Sequence, residues 1–254
     1  MDLLILPIAT LKDNYVWTVV NTKKKCALIV DPGEAEPVLQ YFKQHDLTLC
    51  GILITHHHWD HTNGIAGIKK VFDVPVFAKQ KSIGTVMVKE GDVVMINEFL
   101  PSYHVLEIPG HTLDHLAYYN EDSLFCGDTL FAAGCGRLFE GNAEQMYQSL
   151  QKMAALSQDT KVYCAHEYTQ NNLKFAEQVE PANQEVIERL KQVKLQRERG
   201  LPSLPSSLGA EKATNPFLRC ELEGVIARLE ERVGRRLNKA IDVFAEMRKW
   251  KDGF

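Results

Sequence analysis

The stretch "GILITHHHWDH" (residues 51–61) runs from an apolar, β-branched segment straight into four of the chain's nine histidines. Its first half, with Leu49 and Cys50 before it, reads as a strand. Its second half reads as the loop that leaves the strand. In extended chain, residues two apart point the same way, so His56 and His58 converge on one point while His57 faces elsewhere. Asp60 and His61 come after the chain turns and address a neighbouring point. "TNGIAGIKK" (62–70) then reads as a helix start with Thr62 or Asn63 near its cap. Strand-end loops are where α/β proteins place reactive groups. Imidazole and carboxylate are the usual ligands of first-row metals. A solvated histidine-rich loop would account for one histidine, but not for His-x-His-x-Asp-His at a strand end.

The arrangement recurs downstream. "PGHT" (109–112) places His111 just past an apolar run, "CGDTLF" (126–131) does the same for Asp128, and "CAHEYT" (164–169) for His166. All can collect at one sheet edge. A tetrahedral metal with an open position needs only three protein ligands. His56, His58, Asp60, His61, His111, Asp128 and His166 suit two metals, with one carboxylate between them. Two metals about 3.5–4 Å apart can share a water and bring its pKa toward 7, which gives a hydroxide at neutral pH without a separate general base.

Around these sites the first two-thirds of the chain alternates strands with loops and helices. "KCALIVDPG" (25–33), "LCGILIT" (49–55), "VPVFAK" (74–79), "YHVLEIPG" (103–110), "LAYYN" (116–120), "SLFCG" (123–127) and "KVYCAHEYT" (161–169) read as strands. "EAEPVLQYFKQHD" (34–46) has helical spacing, with Val38, Leu39 and Phe42 on one face. "NAEQMYQSLQKMAAL" (142–156) is a second helix with Asn142 as its N-cap. Past about residue 170 the strand runs stop, and charged, helix-patterned segments take over. The Pro/Ser/Gly-rich "LPSLPSSLGAEKATNPF" (201–217) reads as a loop between them. Residues 172–254 hold 16 Lys/Arg against 13 Asp/Glu in a chain of net charge −4, so a mildly basic helical tail follows an acidic body. That tail is a solvated helix face or a surface for an anionic ligand.

The charge balance implies no nucleic-acid surface. No apolar run reaches the ~18 residues of a membrane span. The start, "MDLLILPIATLKDNY", has the reverse order of a secretory signal, so a cytoplasmic protein without membrane partners is expected. The six cysteines form no CxxC pair and read as reduced, small buried residues, Cys164 included.

In this order, "THHHWDH", "PGHT", "GDTLF" and "HEYT" resemble the metallo-β-lactamase superfamily. "DNYVW" (13–17), "VDPG" (30–33), "GCGRLFEG" (134–141), "HEYT" and "NPFLR" (215–219) more closely resemble the glyoxalase II (hydroxyacylglutathione hydrolase) family across essentially the whole chain. The resemblance implies an α/β fold: an αββα sandwich over 1–170, followed by a smaller α-helical, substrate-binding domain over 171–254. It implies hydrolysis of S-D-lactoylglutathione to glutathione and D-lactate, the second step of methylglyoxal detoxification, by a monomer. Two divalent metals are implied, zinc foremost, with iron or manganese also suited to an N/O ligand set. By the same match His56, His58 and His111 hold one metal, Asp60, His61 and His166 hold the other, and Asp128 bridges, which makes Asp60 and Asp128 the catalytic carboxylates. The glutathione contacts fall on Arg137, Phe139, Tyr168, Arg248 and Lys251.

Two positions depart from the family pattern. Phe139 stands where many members have tyrosine, and Asp114 where glycine is common. The chemistry agrees with the resemblance: a thiolate leaves without a proton donor, since its parent thiol has a pKa near ~8.5. The basic tail then positions an anionic tripeptide. Asp31 reads equally as a hydrogen-bond partner of a ligand histidine or as a turn cap. His57 and His115 read as structural or supporting, His45 and His104 as ordinary surface or core residues, and Asn14 and Tyr15 as turn-shaping. Other chemistries of the superfamily are a β-lactamase, a nuclease for RNA ends and a persulfide dioxygenase. The acidic body argues against the nuclease, and Asp60, His61 and His166 together argue against the single-iron dioxygenase. A non-catalytic, metal-stabilised module would need a closed coordination shell, which a seven-ligand set suits poorly.

Overall fold

The chain opens on an antiparallel hairpin of Leu3–Thr10 (β1) and Asn14–Asn21 (β2), paired from Leu3↔Asn21 to Thr10↔Asn14. Our computed structural model describes residues 3–254. Cys26–Val30 (β3) runs antiparallel to β2, and the helix Glu36–His45 (α1) returns the chain to Thr48–Leu53 (β4), parallel to β3. Two short helices, Trp59–Thr62 (α2) and Ile65–Lys69 (α3), lead to the parallel strands Val76–Ala78 (β5) and Val86–Met87 (β6). These strands form one sheet in the order β1-β2-β3-β4-β5-β6. Val93–Val94 (β7), Tyr103–Glu107 (β8), Leu116–Tyr119 (β9) and Ser123–Gly127 (β10) follow as an antiparallel meander.

The centre of the first sheet is buried on both faces, which is why β3 reads as an unbroken apolar run rather than an alternating one. Ala27 and Ile29 pack with Val38 and Phe42 of α1 and Ile68 of α3. Leu28 and Val30 point the other way and are equally buried. The meander is tied to the first sheet by Tyr118, whose buried hydroxyl lies 2.9 Å from the carbonyl oxygen of Ile54 and 3.1 Å from that of Phe77. The Leu116 amide likewise donates to Thr55 O at 2.7 Å.

By its contacts the chain divides into two units. The first runs to Glu107 and includes Asp114–Gly127; the second takes Ile108–Leu113 and Asp128–Phe254. In the second, Leu130–Phe131 (β11) and Gly134–Cys135 (β12) make a tight hairpin, followed by Ala143–Ala154 (α4). Asn142 caps α4 as its sequence predicts: the side chain accepts from Gln145 N, and Gln145 answers with its own side chain to the cap. Lys161–Cys164 (β13), Thr169–Val179 (α5) and Gln184–Glu198 (α6) come next. Ser206–Ser207 (β14), antiparallel to β13, leads into Leu208–Thr214 (α7), a 3-10 turn at Pro216–Leu218, and the closing helices Glu223–Val233 (α8) and Ala240–Asp252 (α9). An aromatic cluster of Phe175, Phe217 and Phe244 fills the space among α5, the 3-10 turn and α9, with ring centroids 5.6–6.0 Å apart.

Two sequence expectations are corrected. Residues 201–217, read as a loop, contain β14, α7 and the 3-10 turn. Ser207 caps α7 by accepting from Ala210 N, and Glu211, fully buried, anchors it to Arg189 at 2.7 Å. Neither Thr62 nor Asn63 is the N-cap of a helix; Asn63 is the C-cap of α2, one residue before the N-cap of α3. Thr62 ends α2, its hydroxyl donating to His58 O at 3.0 Å, and α3 starts from Gly64 with no side-chain cap.

Candidate metal and substrate site

In the first unit the predicted ligands His56, His58, Asp60 and His61 leave the end of β4 and enter α2. His56 and His61 are buried, with rings 4.1 Å apart, and the His58 ring lies 4.7 Å from that of His56. One carboxylate orients two of these imidazoles. Asp31, just past β3 in a left-handed conformation (φ 54°), places Oδ2 3.0 Å from His61 Nδ1. The same oxygen accepts from the Thr55 hydroxyl at 2.6 Å, and Thr55 Oγ1 lies 3.0 Å from His56 Nδ1. A carboxylate only accepts, so His61 Nδ1 carries the proton; the Thr55 proton is committed to Asp31, so His56 Nδ1 donates as well. Both Nε2 atoms are left with the lone pair, as metal ligation requires. Of the two readings of Asp31, the hydrogen bond to a histidine is the one seen.

Asn14, read from sequence as turn-shaping, also belongs to the site. Its Nδ2 lies 3.2 Å from Asp60 Oδ2 and 3.4 Å from Asp60 O. No local pattern in the sequence signals this contact across 46 positions; only its place in the "DNYVW" motif did. His115 stacks on His56 at 4.5 Å, with planes 15° apart. His57 Nδ1 lies 2.8 Å from Asp114 Oδ1, whose other oxygen accepts from Gln80 Nε2 at 2.8 Å. The unusual Asp114 carboxylate is thus bound to a partner, and His57 turns away from its neighbours to meet it. His45 and His104 are exposed.

In the second unit, His111, Asp128 and His166 meet. Asp128 turns Oδ2 toward His111 Nε2 at 3.5 Å and Oδ1 toward His166 Nε2 at 3.3 Å. One oxygen per imidazole, each beyond ordinary hydrogen-bond length, is the arrangement a bridging carboxylate needs. His111 Nδ1 donates to Arg137 O at 2.9 Å, so its Nε2 also keeps the lone pair. Gly136 makes this approach possible: a Cβ there would lie 1.9 Å from Asp128 O and 3.1 Å from His111 Nδ1. The donor set therefore fits divalent metal ions: imidazole Nε2 and carboxylate oxygens, with Nδ1 of His56, His61 and His111 already engaged.

The same unit encloses a cavity of about 490 Å³ lined by His111, Asp128, Arg137, Phe139, Tyr168, Arg248 and Lys251, which brings together every predicted substrate residue. Tyr168 stacks on His166 at 4.8 Å with planes 4° apart, and Phe139 meets His111 edge-on at 5.1 Å. Arg137 is well exposed and Lys251 half-buried. Arg248 is only 4% exposed. Its Nη1 donates to Cys135 O at 2.8 Å, while Nη2 and Nε reach Asp252 Oδ1 at 2.9 and 3.1 Å. Burial, then the nearby Arg248 charge, lowers the Lys251 ammonium to about 8. Burial pushes the Cys135 thiol up to about 11 and Cys164 well above its usual value, so neither is a thiolate at neutral pH. All six cysteines are free, and all but Cys50 are buried as expected. Among the described residues no helix is long and apolar enough to cross a membrane.

Comparison with known proteins gives a consistent picture. The metallo-beta-lactamase superfamily model matches residues 12–166, and that of the hydroxyacylglutathione hydrolase C-terminus matches residues 167–254. A hydroxyacylglutathione hydrolase of Nitrosomonas europaea is 48% identical over 253 residues, covering 98% of this chain and 96% of its own. The enzyme of that name from Psychromonas ingrahamii is 44% identical, covering 98% and 99%. Among solved structures, ETHE1 from Myxococcus xanthus aligns with a TM-score of 0.66 at 25% identity over 99% of this chain and 98% of that one. The chain belongs to the hydroxyacylglutathione hydrolase family of the metallo-β-lactamase superfamily.

Proposed function

We propose that His56, His58 and His111 hold one divalent metal, that Asp60, His61 and His166 hold a second, and that Asp128 bridges them. The chain is a thioester hydrolase of the glyoxalase II type; its substrate is S-D-lactoylglutathione and related 2-hydroxyacyl thioesters of glutathione. When bound, the ions supply Lewis acidity and a nucleophile drawn from water at neutral pH, and zinc is the ion best suited to this N/O set, with iron or manganese as substitutes. The chain's own residues do the remaining work. Asp31, through Thr55 and directly, fixes two imidazoles in the ligating tautomer. Arg137 O does the same for His111. Arg137 and Lys251 present cations to the carboxylates of glutathione, and Arg248 adds charge from within the wall. Tyr168 and Phe139 form apolar sides of the cavity against glutathione, and Phe139 offers no hydroxyl where a tyrosine would. The leaving thiolate needs no proton donor, since its parent thiol has a pKa of ~8.5.

The observation that carries this reading is the cavity of the second unit, which has His111 and Asp128 in its wall together with Arg137, Arg248 and Lys251. The test is loss of thioester absorbance with S-D-lactoylglutathione and metal-loaded protein. Turnover that stops on chelation supports the reading.

A further inference from the structure

We propose that Asn215 and Phe217, in the "NPFLR" segment (215–219), are positioning residues that hold Arg248 in the substrate cavity. Reading Arg248 as part of the wall that receives glutathione is the premise. The segment reaches Arg248 by two routes.

The first route runs through the β11–β12 hairpin. Asn215 is fully buried, and its Nδ2 lies 3.1 Å from Phe131 O and 2.9 Å from Gly134 O. Its Oδ1 accepts from Phe217 N at 3.1 Å, which locks the 3-10 turn to the same side chain. The hairpin turn is held again by Glu211, which accepts from Ala133 N at 2.7 Å. The next carbonyl along, that of Cys135, is the acceptor for Arg248 Nη1 at 2.8 Å. Fixing 131–134 therefore fixes the oxygen on which the guanidinium rests. The second route is direct. The Phe217 ring lies under the Arg248 guanidinium, 5.2 Å from Cζ to centroid, within cation–π range. Phe217 is itself immobilised between Phe175 and Phe244. A guanidinium held at its edge by the Cys135 carbonyl and the Asp252 carboxylate, and on its face by a ring, loses little further freedom when an anion arrives, so binding is stronger than a free arginine would give.

The test is a double-mutant cycle in the metal-loaded protein. Its readouts are kcat and KM for S-D-lactoylglutathione, and calorimetric binding of S-methylglutathione. Phe217→Leu keeps an apolar filler but removes the ring face; Asn215→Ala removes the hairpin clamp. Each is expected to raise KM about three- to tenfold and leave kcat within about twofold. In an Arg248→Ala background each is expected to add less than about twofold, because its effect runs through Arg248. Unchanged KM in Phe217→Leu, or effects that multiply in full with Arg248→Ala, would overturn the proposal while leaving the cavity reading intact. An Arg248→Ala variant with unchanged KM and unchanged S-methylglutathione binding would overturn both. Should Asn215→Ala fail to fold, the Phe217→Leu arm decides alone.

Discussion

Asp31 and His61 are joined across 30 residues by a 3.0 Å contact between Oδ2 and Nδ1. That contact puts the proton of His61 on Nδ1, and through Thr55 the same carboxylate governs His56. Asp31→Asn is therefore informative. The amide still accepts from Thr55 N, but it offers an N–H to His61 and favours the tautomer with the proton on Nε2. Metal affinity is expected to fall about 10–100-fold, read by elemental analysis after dialysis. Full metal content would show that Asp31 does not set the tautomer.

Lys251 gives the reaction a pH signature. Its ammonium titrates at about 8, driven down first by burial and then by Arg248. The charge that attracts a carboxylate is present below that value and lost above it. KM is expected to rise between pH 7 and 9 while kcat stays level, and Lys251→Met is expected to show a high, pH-independent KM. The sign for stability is opposite. Between about 8 and the ordinary lysine value near ~10.4, the unfolded chain binds more protons, so this group's contribution to folding stability grows with pH.

Gly136 has no space for a side chain. A Cβ would stand 1.9 Å from the Asp128 carbonyl oxygen, a backbone atom that cannot rotate away. Gly136→Ala must displace the segment that carries Asp128 or the His111 loop. We expect at least a tenfold loss of kcat/KM, about 1.4 kcal/mol, together with substoichiometric metal. Normal metal content and activity would mean that the loop is more compliant than its packing implies.

Glu211 and Arg189 form an ion pair at 2.7 Å with Glu211 fully buried. Removing one partner of such a pair costs about 3–5 kcal/mol because the other is left uncompensated. Glu211→Ala is expected to lower Tm by roughly 6–20 °C by calorimetry. The double variant Glu211→Leu/Arg189→Met is expected to recover part of the loss. A single variant with unchanged Tm would remove this pair from the account of stability.

Much of this site can be read along the chain. His56, His58, Asp60, His61, His111, Asp128 and His166 each follow an apolar strand run, and a strand end is a local pattern. The Asn142 cap is legible for the same reason, since all its partners lie within four residues. What escaped depends on distant pairing. Asn14 acts on Asp60 from 46 positions away, and Asp114 on His57 from 57. The Pro/Ser-rich look of 201–217 hides a helix that is fixed by Arg189, not by its own propensity. Residues 14–21 are buried at every position. The alternation that would mark them as a strand is therefore missing, and Pro7 obscures the partner strand, an outer strand of the sheet where proline is tolerated. The burial of Arg248 is likewise hidden in a terminal run of charges, because it rests on Cys135 and Phe217, which are distant in sequence.

The most direct measurement is thioester turnover by the metal-loaded protein with S-D-lactoylglutathione, beside Asp128→Ala. The account predicts rapid loss of thioester absorbance by the parent protein, abolished by chelation and absent in Asp128→Ala, which should also have lost one metal equivalent. No turnover of the glutathione thioester, with ready turnover of a β-lactam or of RNA by the same preparation, would contradict it.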